Sequence, residues 1–453
     1  MMRRLTTRDP DFLATLDALL AFDNSTDEAI ERTVAEILAN VRTLGDAAVL
    51  DYTSRFDKLA VTTMAQLELP RDVLEAAFDG LPAAQKSALE QAAARMSGEP
   101  LLAWDLEADS MHHYREKVCL LQVSTPTETL VIDPLAGLDL SALAPLLADP
   151  AIRKVFHGAD YDVRMLHRDF GMTVSNLFDT MIACQFLGEP EVGLAAMLRK
   201  RFGVELDKRY QQADWTRRPL PPEMIDYAAK DTTLLPELCR QLEAELTAKG
   251  RLAWVLEECE LLTGVRMTER GDEPLFLRFK GAARMTPPTM AVLEELLRFR
   301  EQEAERRDVP PFKILGTETI RELAERKPAA ATELAGISGL SPRLAERYGK
   351  QLLAVIAKGV NVPAARQPRY PRERRPERSR AQEQRLKALK CWREQTAQGL
   401  GVAGGVLVNN KTLEGLADLG PASLEELAAG AGLKGWQAAA FGVELLKVCQ
   451  ADG

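Results

Sequence analysis

The stretch LLAWDLE, residues 101–107, is an apolar run that ends in two carboxylates. Its apolar part, up to Trp104, predicts a short buried strand, and Asp105 and Glu107 follow with one residue between them. Side chains alternate along a strand, so the two acids emerge on the same face. They repel each other and are costly to desolvate, and a divalent cation relieves both effects. A lone pair of this kind also fits a strand end in solvent, so the rest of the chain must decide between the two interpretations.

Composition narrows the classes of protein that this chain can be. A length of 453 residues predicts two to four domains. The net charge of −9 argues against a protein that coats nucleic acid, although it says little about a local groove. No run approaches the ~20 apolar residues of a membrane span, and the N-terminus lacks the apolar core of a signal peptide. The six cysteines are far apart, as expected of reduced residues in a cytoplasmic protein.

The residue types available for metal binding are limited. The four histidines and six cysteines show no zinc-site spacing, so no zinc is expected. A catalytic metal must therefore be held by carboxylates, which favours Mg²⁺ or Mn²⁺.

The chain changes character along its length. Residues 1–95 predict helices, with apolar residues on one face of the segment 26–44. From residue 97 strands dominate: VCLLQVS at 118–124 and TLVIDP at 129–134 predict a three-strand meander with the strand of residues 101–107. Helices and strands alternate afterwards, which predicts an α/β domain over 97–250.

Two later segments repeat each other. LLRFREQEAERRDVP, from residue 296, and LKCWREQTAQGLGVA, from residue 389, align without a gap at a constant offset of 93. We predict two copies of one small helical domain, at 285–361 and 381–453. The linker over 362–380 carries seven arginines against two glutamates, which predicts either a solvated spacer or a strap that contacts phosphates.

Three further polar residues complete the candidate site. In VFHGADYDVRML an apolar strand leads into a helix that carries Asp162 in its first turns. Asp160 in the same stretch is predicted to be a helix N-cap rather than a ligand, and Asp179 is predicted to begin and cap the next helix. In YAAKD, Tyr227 and Asp231 are one helical turn apart and project from one face.

In order and separation, these motifs resemble those of the DEDD 3′→5′ exonucleases with tyrosine in the third motif, and the chain resembles bacterial ribonuclease D over about 97–450. The resemblance implies an α/β, ribonuclease-H-like exonuclease domain followed by two all-α HRDC (helicase and ribonuclease D C-terminal) domains. It implies two divalent cations on Asp105, Glu107, Asp162 and Asp231, with Tyr227 positioning the attacking water.

The same resemblance suggests the substrate. It implies a hydrolase that releases nucleoside 5′-monophosphates from RNA 3′ ends, with transfer-RNA precursors as expected substrates and DNA still possible. A monomer is the expected state. The candidates for substrate contact are basic or aromatic residues near the motifs, which suit backbone contact and base stacking; they are His112, His113, Lys208, Arg209, Trp215, Arg217 and Arg218.

The first 95 residues resemble a different family. DEAIERTVAEILANVRTLGDAAVLDYTSRFDKL is similar to the N-terminal region of histidinol dehydrogenase. That family's zinc-site and catalytic residues lie downstream of this region, so no NAD-dependent activity is expected. We predict a mainly helical fragment joined to the exonuclease near residues 94–97. Two alternatives stay open: a nucleic-acid-binding scaffold without catalysis, and a histidinol dehydrogenase.

Overall fold

The computed structural model describes residues 33–68, 88–207, 209–268, 271, 273–371, 378–430 and 432–451. Its contacts divide the chain into two units, Met1–Ala88 and Leu89–Gly453. The predicted helices before residue 33 and those between residues 69 and 87 lie outside the described residues, as do Lys208 and linker residues 372–377. Within the described residues, no helix is long and apolar enough to cross a lipid bilayer.

The described part of the first unit is helical, as predicted. Helix α1 covers residues 33–44, and helix α2, Asp46–Tyr52, continues into a short π-helical turn. Gly45 separates the two helices with a φ of 57°, a left-handed value that favours glycine. Val34 and Leu38, on the predicted apolar face of α1, are 48% and 51% exposed.

The second unit is built around one mixed sheet, with strand order β3-β2-β1-β4-β5. The strands are β1 Leu101–Ala108, β2 Val118–Ser124, β3 Thr129–Ile132, β4 Arg153–Phe156 and β5 Leu177–Asp179. The predicted meander is present, because β1 pairs antiparallel with β2 and β2 antiparallel with β3. Strands β4 and β5 continue the sheet in parallel from β1. Every residue of β2 is buried, as expected of a strand covered on both faces.

Helices cover both faces of this sheet and confirm the α/β class. They are α3 Ala88–Met96, α4 Ala144–Ala148, α5 Asp160–Phe170, α6 Thr180–Leu187, α7 Leu194–Phe202, α8 Pro222–Thr233, α9 Leu235–Ala248 and α10 Leu252–Thr263. Helix α3 belongs to the core of the sheet domain, because Ala93 and Met96 are buried there. The three-residue strand β5 was not predicted; the sequence indicated only a helix starting at Asp179.

The predicted repeat forms two five-helix modules. The first contains α11 Pro287–Arg306, α12 Pro311–Ile314, α13 Thr317–Arg326, α14 Ala331–Leu334 and α15 Pro342–Val360. The second contains α16 Arg380–Leu400, α17 Gly404–Leu407, α18 Asn410–Leu419, α19 Leu424–Gly430 and α20 Gly435–Gln450. Each helix of the second module begins 93 residues after its counterpart, so the repeat seen in the sequence is a repeat of structure.

The two modules contact the sheet domain in different ways. The first has a hydrophobic core of its own, against which Tyr114 from the loop after β1 packs, and polar pairs such as Arg115 with Glu305 at 2.8 Å join it to the sheet domain. The second shares the core of the sheet domain. There Trp436 stacks on Trp254 of α10, with 5.0 Å between ring centroids. The second module therefore forms part of the hydrophobic core of the sheet domain.

Two helix C-termini meet where the second module joins. Gly188 ends α6 with a φ of 82°, and Gly401 ends α16 with a φ of 66°. A Cβ atom on Gly188 would lie 1.8 Å from the carbonyl oxygen of Gly401, so only glycine fits. The buried Arg251 donates to the carbonyl oxygens of Phe186 and Leu400 at 2.8 and 2.7 Å. Its guanidinium N–H groups thus bind carbonyl oxygens in the last turn of both helices, and its positive charge is favourable at helix C-termini.

Candidate active site

Strand β1 presents two of the predicted carboxylates. Asp105 and Glu107 alternate with the buried residues Trp104 and Leu106, so both acids lie on one face of the sheet. Across the antiparallel pair, Asp105 stands opposite Gln122 and Glu107 opposite Leu120. A register irregularity follows directly after Glu107.

Helix α8 lies over this face and brings the third motif to it. Its position is fixed at one end by a 2.7 Å hydrogen bond between the hydroxyls of Ser124 and Thr232. Tyr227 fixes the middle of the helix, because it is 9% exposed and packs in a small apolar cluster with Leu120 and Trp215. Asp231 follows Tyr227 by one turn on the same helical face.

The structure brings three of the predicted ligands together. One oxygen atom from each of Asp105, Glu107 and Asp231 can be chosen so that all three lie within 4.8 Å of one another. Asp162 is buried in the first turn of α5 and lies outside this group, yet its charge raises the pKa of both Asp105 and Glu107. The four acids thus form one electrostatic unit.

The pKa values of these acids show how crowded the unit is. Burial, followed by repulsion from the other three acids, raises the pKa of Asp105 well above its usual range. Burial together with Asp231 and Asp162 raises the pKa of Glu107 to about 9. Burial raises the pKa of Asp231 to about 7, and burial with Asp179 raises that of Asp162 to about 8. Clustered hard oxygen donors that resist ionisation fit divalent cations, whose charge reverses this penalty.

Tyr227 keeps its proton in this environment. Burial raises the pKa of its phenol above the usual value, and the carboxylates of Asp231, Glu107 and Asp105 raise it further. Its hydroxyl is therefore a neutral hydrogen-bonding group beside the acids, which suits the positioning of a water molecule.

The turn before Asp162 depends on an acid that the sequence indicated only as a helix cap. Asp179 does cap α6 by accepting from the backbone N–H groups of Met181 and Ile182. It also accepts from the N–H groups of Gly158 and Ala159 at 2.9 and 2.8 Å, which braces the start of α5. Gly158 has a φ of 84°, so a residue with a side chain would be strained there. The signal that could have identified this brace is a buried acid, Asp179, placed directly after the apolar Leu177 and Phe178.

Asp160 does not occupy the predicted N-cap position. The sequence indicated a helix N-cap, but Ala159 occupies that position and Asp160 begins α5 itself. Its carboxylate pairs with the Arg164 guanidinium, one turn later, at 2.7 Å. This pairing lowers the pKa of Asp160, in contrast to the raised values of the acid cluster.

Two of the proposed substrate contacts are histidines that bind other parts of the chain. His112 Nε2 lies 3.0 Å from the carbonyl oxygen of Gln212. His113 Nδ1 lies 2.7 Å from Asp308 of the first helical module, and its Nε2 lies 3.3 Å from the Thr216 hydroxyl. His113 therefore links the active-site loops to that module.

The basic loop before α8 contains two residues in structural positions. Trp215, expected as a stacking surface for bases, is 1% exposed and lies against Tyr227, 6.1 Å between ring centroids, so its ring is not available to a base. Arg218 pairs with Asp133 at 2.6 Å and donates to the carbonyl oxygen of Cys119. Packing of the loop accounts for both residues.

Two other candidates for substrate contact in this loop lie on the surface. Arg209 is exposed and pairs with Asp207, and Arg217 is exposed. Both keep the accessibility that contact with a nucleic-acid backbone requires, whereas Lys208 lies outside the described residues.

A basic cleft separates the sheet domain from the first helical module. Its volume is about 940 Å³, and it is lined by the end of α5, the loop after β1, the connector to α11 and the start of α12. Four arginines and two histidines line it against one glutamate. They are Arg115, Arg168, Arg266, Arg278, His113, His167 and Glu116. Phe312, 49% exposed, stands at the same cleft. The lining thus combines positive charge with an exposed aromatic ring.

Family models match this chain in three parts. A 3′-5′ exonuclease model matches residues 82–247, and an HRDC domain model matches residues 289–356 and 382–449. A histidinol dehydrogenase model matches residues 21–132 and so overlaps the exonuclease match. The two HRDC matches are 93 residues apart at both ends, in agreement with the helix positions.

Full-length relatives and solved structures agree with these matches. Ribonuclease D of Acidiphilium cryptum is 33% identical over 359 residues, which cover 78% of this chain and 89% of the relative. Ribonuclease D of Granulibacter bethesdensis is 32% identical, with 77% and 87% covered.

Among solved structures, Escherichia coli RNase D, described as an exoribonuclease involved in structured RNA processing, gives a TM-score of 0.60 at 26% identity, covering 81% of this chain and 97% of that one. The catalytic core of RRP6 from Trypanosoma brucei gives 0.53 at 32% identity, covering 61% and 78%. The chain therefore belongs to the ribonuclease D family and is a 3′-5′ exoribonuclease with two HRDC domains.

Proposed function

We propose that this enzyme removes nucleoside 5′-monophosphates from RNA 3′ ends with the help of two divalent cations, Mg²⁺ or Mn²⁺. Asp105, Glu107 and Asp231 would hold them together with Asp162. The observation that carries this proposal is the convergence of three half-buried carboxylates within 4.8 Å, each with a raised pKa. When bound, such cations supply a hydroxide at neutral pH and stabilise charge on the leaving oxygen.

The protein's own groups provide orientation. Asp105 lies in a strand and Asp231 in a helix, so rigid elements hold the donor oxygens in place. The protonated Tyr227 hydroxyl would accept from or donate to the attacking water and hold it in line with the scissile phosphate. Asp179 would keep Asp162 in place through the turn at Gly158.

The path of the RNA upstream of its 3′ end is the next part of the proposal. The basic cleft is lined by the loop that follows β1, the strand of Asp105 and Glu107, and by the C-terminal end of the helix that carries Asp162. Positive charge with an exposed ring suits a sugar–phosphate backbone and an unpaired base. By analogy with the relatives, transfer-RNA precursors and other structured RNAs are the proposed substrates, and the proposed working state is a cytoplasmic monomer.

Reversing one charge tests this path. Arg278→Glu should raise the KM for a structured RNA about tenfold at low salt. It should leave kcat unchanged, because Arg278 lines the cleft and does not contribute to the pKa shifts of the four acids. The matched control is Arg240→Glu, an exposed arginine on α9 away from the cleft, which should change KM less than twofold. Equal effects of the two variants would contradict the proposed path.

The possible metal ligands of this chain do not support the histidinol dehydrogenase alternative. The group of possible metal ligands within the described residues consists of three carboxylates, whereas catalytic zinc sites use histidine or cysteine donors as well. We therefore propose that this cluster does not bind zinc, and that the chain does not use NAD because the family's catalytic residues lie downstream of the segment that it resembles. Histidinol should cause no NAD reduction.

The decisive experiment follows 5′-labelled RNA on a denaturing gel with Mg²⁺, Mn²⁺ or chelator. A ladder should shorten from the 3′ end, and chelator should abolish it. Asp231→Asn should slow it by at least ~10³-fold, because an amide is a poorer ligand than a carboxylate. The matched control, Asp226→Asn, alters an exposed acid on the same helix and should leave the rate unchanged. A folded protein without a ladder would favour the scaffold alternative, and a parallel single-stranded DNA would test the choice of sugar.

A further inference from the structure

Gln122 lies in the middle of the sheet directly beside the acid cluster. In the antiparallel pair of β1 and β2 its register partner is Asp105. Residues that stand directly opposite each other in such a pair point to the same face, with Cβ atoms about 5 Å apart. Gln122 therefore projects to the face that carries the carboxylates.

Its neighbours on β2 show what covers it. Leu120, two residues earlier on the same face, packs with Tyr227 of α8. Ser124, two residues later, bonds to Thr232 of α8. Gln122 thus lies beneath α8 between the positions of Tyr227 and Thr232, the stretch that also carries Asp231.

The amide of Gln122 is buried without compensation from the described residues. The residue is 0% exposed, and neither Nε2 nor Oε1 has a hydrogen-bond partner in the described part of the chain. A buried polar group left unpaired costs about 1–3 kcal/mol. The neighbouring buried residues of β2 on this face differ from it: Leu120 packs in an apolar cluster, and the Ser124 hydroxyl is hydrogen-bonded. An apolar residue would be less costly at this position, so the amide has a role that packing does not explain.

We propose that Gln122 is a positioning residue of the metal centre: when cations are bound, its Nε2–H, unpaired in this structure, donates to the Asp105 carboxylate and fixes the orientation in which Asp105 holds them. The inference rests on the proposed metal function of the acid cluster. Hydrogen bonds from outside the ligand set orient metal-binding carboxylates, and their loss typically costs 10- to 100-fold in metal affinity. Gln122 has the register position, the burial and the unused donor for this task.

The test compares metal affinity with stability in the full-length protein. Gln122→Met keeps the side-chain length and removes the amide. Mn²⁺ affinity is measured by electron paramagnetic resonance titration, and Tm by thermal unfolding in chelator at the same pH. We expect Mn²⁺ to bind at least tenfold more weakly, while the Tm in chelator stays equal or rises because an unpaired buried amide is gone. A structural role alone would not weaken metal binding while sparing the metal-free fold.

The matched control is the same substitution at another buried glutamine. Gln437 of the second HRDC domain donates to the carbonyl oxygen of Leu407 at 2.5 Å, so Gln437→Met should lower Tm and leave Mn²⁺ affinity unchanged. Unchanged Mn²⁺ affinity in Gln122→Met, or a lower Tm in chelator, would overturn the positioning role. If the wild-type protein itself bound no Mn²⁺, the proposed metal centre would be wrong as well. This result distinguishes a failure of the metal centre from a failure of the positioning role alone.

Discussion

At the scale of single residues, the acid cluster couples folding to pH. Its carboxyl groups have higher pKa values in the folded chain than the ~4 of an unfolded one. The folded state therefore binds more protons than the unfolded state between about pH 4 and pH 9. The stability that these groups contribute is fully present below pH 4 and is lost as pH rises through the folded pKa values.

This coupling predicts a pH-dependent benefit from removing one acid. In chelator, Asp231→Asn should unfold at a higher temperature than the wild type, and the gap should widen by several degrees between pH 6 and pH 9. Divalent cations should reverse the order, because they stabilise the wild-type cluster more. Differential scanning calorimetry at both pH values measures the gap, with Asp226→Asn as the reference. If the unfolding temperatures of wild type and Asp231→Asn changed with pH by the same amount, the described repulsion between the acids would be contradicted.

Residue patterns predicted which side chains share a face better than they predicted the contacts around them. Asp105 and Glu107 follow from strand alternation, and Tyr227 and Asp231 from helical spacing, because both periodicities are local. The burial of Trp215 could not be predicted in this way. A loop has no period, so its sequence shows an aromatic residue among cations without showing which side chains turn inward. Asp179 was recognised as a cap, but its bonds to the Gly158 turn depend on a contact 21 residues away along the chain.

At the scale of elements, the junction of α6 and α16 holds the second HRDC domain against the catalytic domain. Both helices end in left-handed glycines, and the closeness of Gly188 to the Gly401 carbonyl leaves no room for a side chain. Arg251 binds carbonyls from both ends. The junction therefore depends on backbone groups, which a change of side chain cannot easily restore.

The junction predicts unequal costs for the same substitution at two helix ends. Gly188→Ala should lower the free energy of unfolding by more than ~3 kcal/mol, because left-handed strain of ~1–2 kcal/mol adds to a backbone clash. Gly203→Ala should cost only ~1 kcal/mol, since Gly203 ends α7 with a similar φ of 68° and open space around it. Urea unfolding measures both. Equal losses would mean that α6 and α16 can move apart freely.

The repeat was the element-scale feature that sequence predicted best. An offset of 93 placed the start of all five helices in the second module, because homologous faces must bury matching residues. Strand β5 was missed since three residues are too few to show a period of two. Its assignment depends on pairing with β4, a long-range contact.

At the scale of the whole molecule, the extent of the catalytic unit can be tested by truncation. The sequence-based boundary at residues 95–97 would remove α3, whose Met96 is fully buried in the core of the sheet domain. A chain that starts at Ala88 should therefore keep full ribonuclease activity. A chain that starts at Ser97 should lose ~2–5 kcal/mol of stability, the usual cost of deleting a large buried side chain.

Denaturant unfolding and the RNA ladder assay, applied to both truncated chains and the full chain, measure the difference. Equal stability of the two truncated chains would restore the boundary at residues 95–97. An inactive chain from Ala88, beside an active full chain, would mean that the first unit contributes to catalysis.

The unequal docking of the two HRDC domains bears on how each copy can evolve. The second copy shares its core with the enzyme, so a substitution that reshapes it also disturbs the catalytic domain. The first copy keeps a separate core and meets its neighbour through the packed ring of Tyr114 and polar pairs such as Arg115 with Glu305. We expect the first copy to accept new surface residues more readily, and with them new RNA preferences. On this expectation, the second copy is constrained by the core that it shares with the catalytic domain, and the first copy is constrained mainly by its own core.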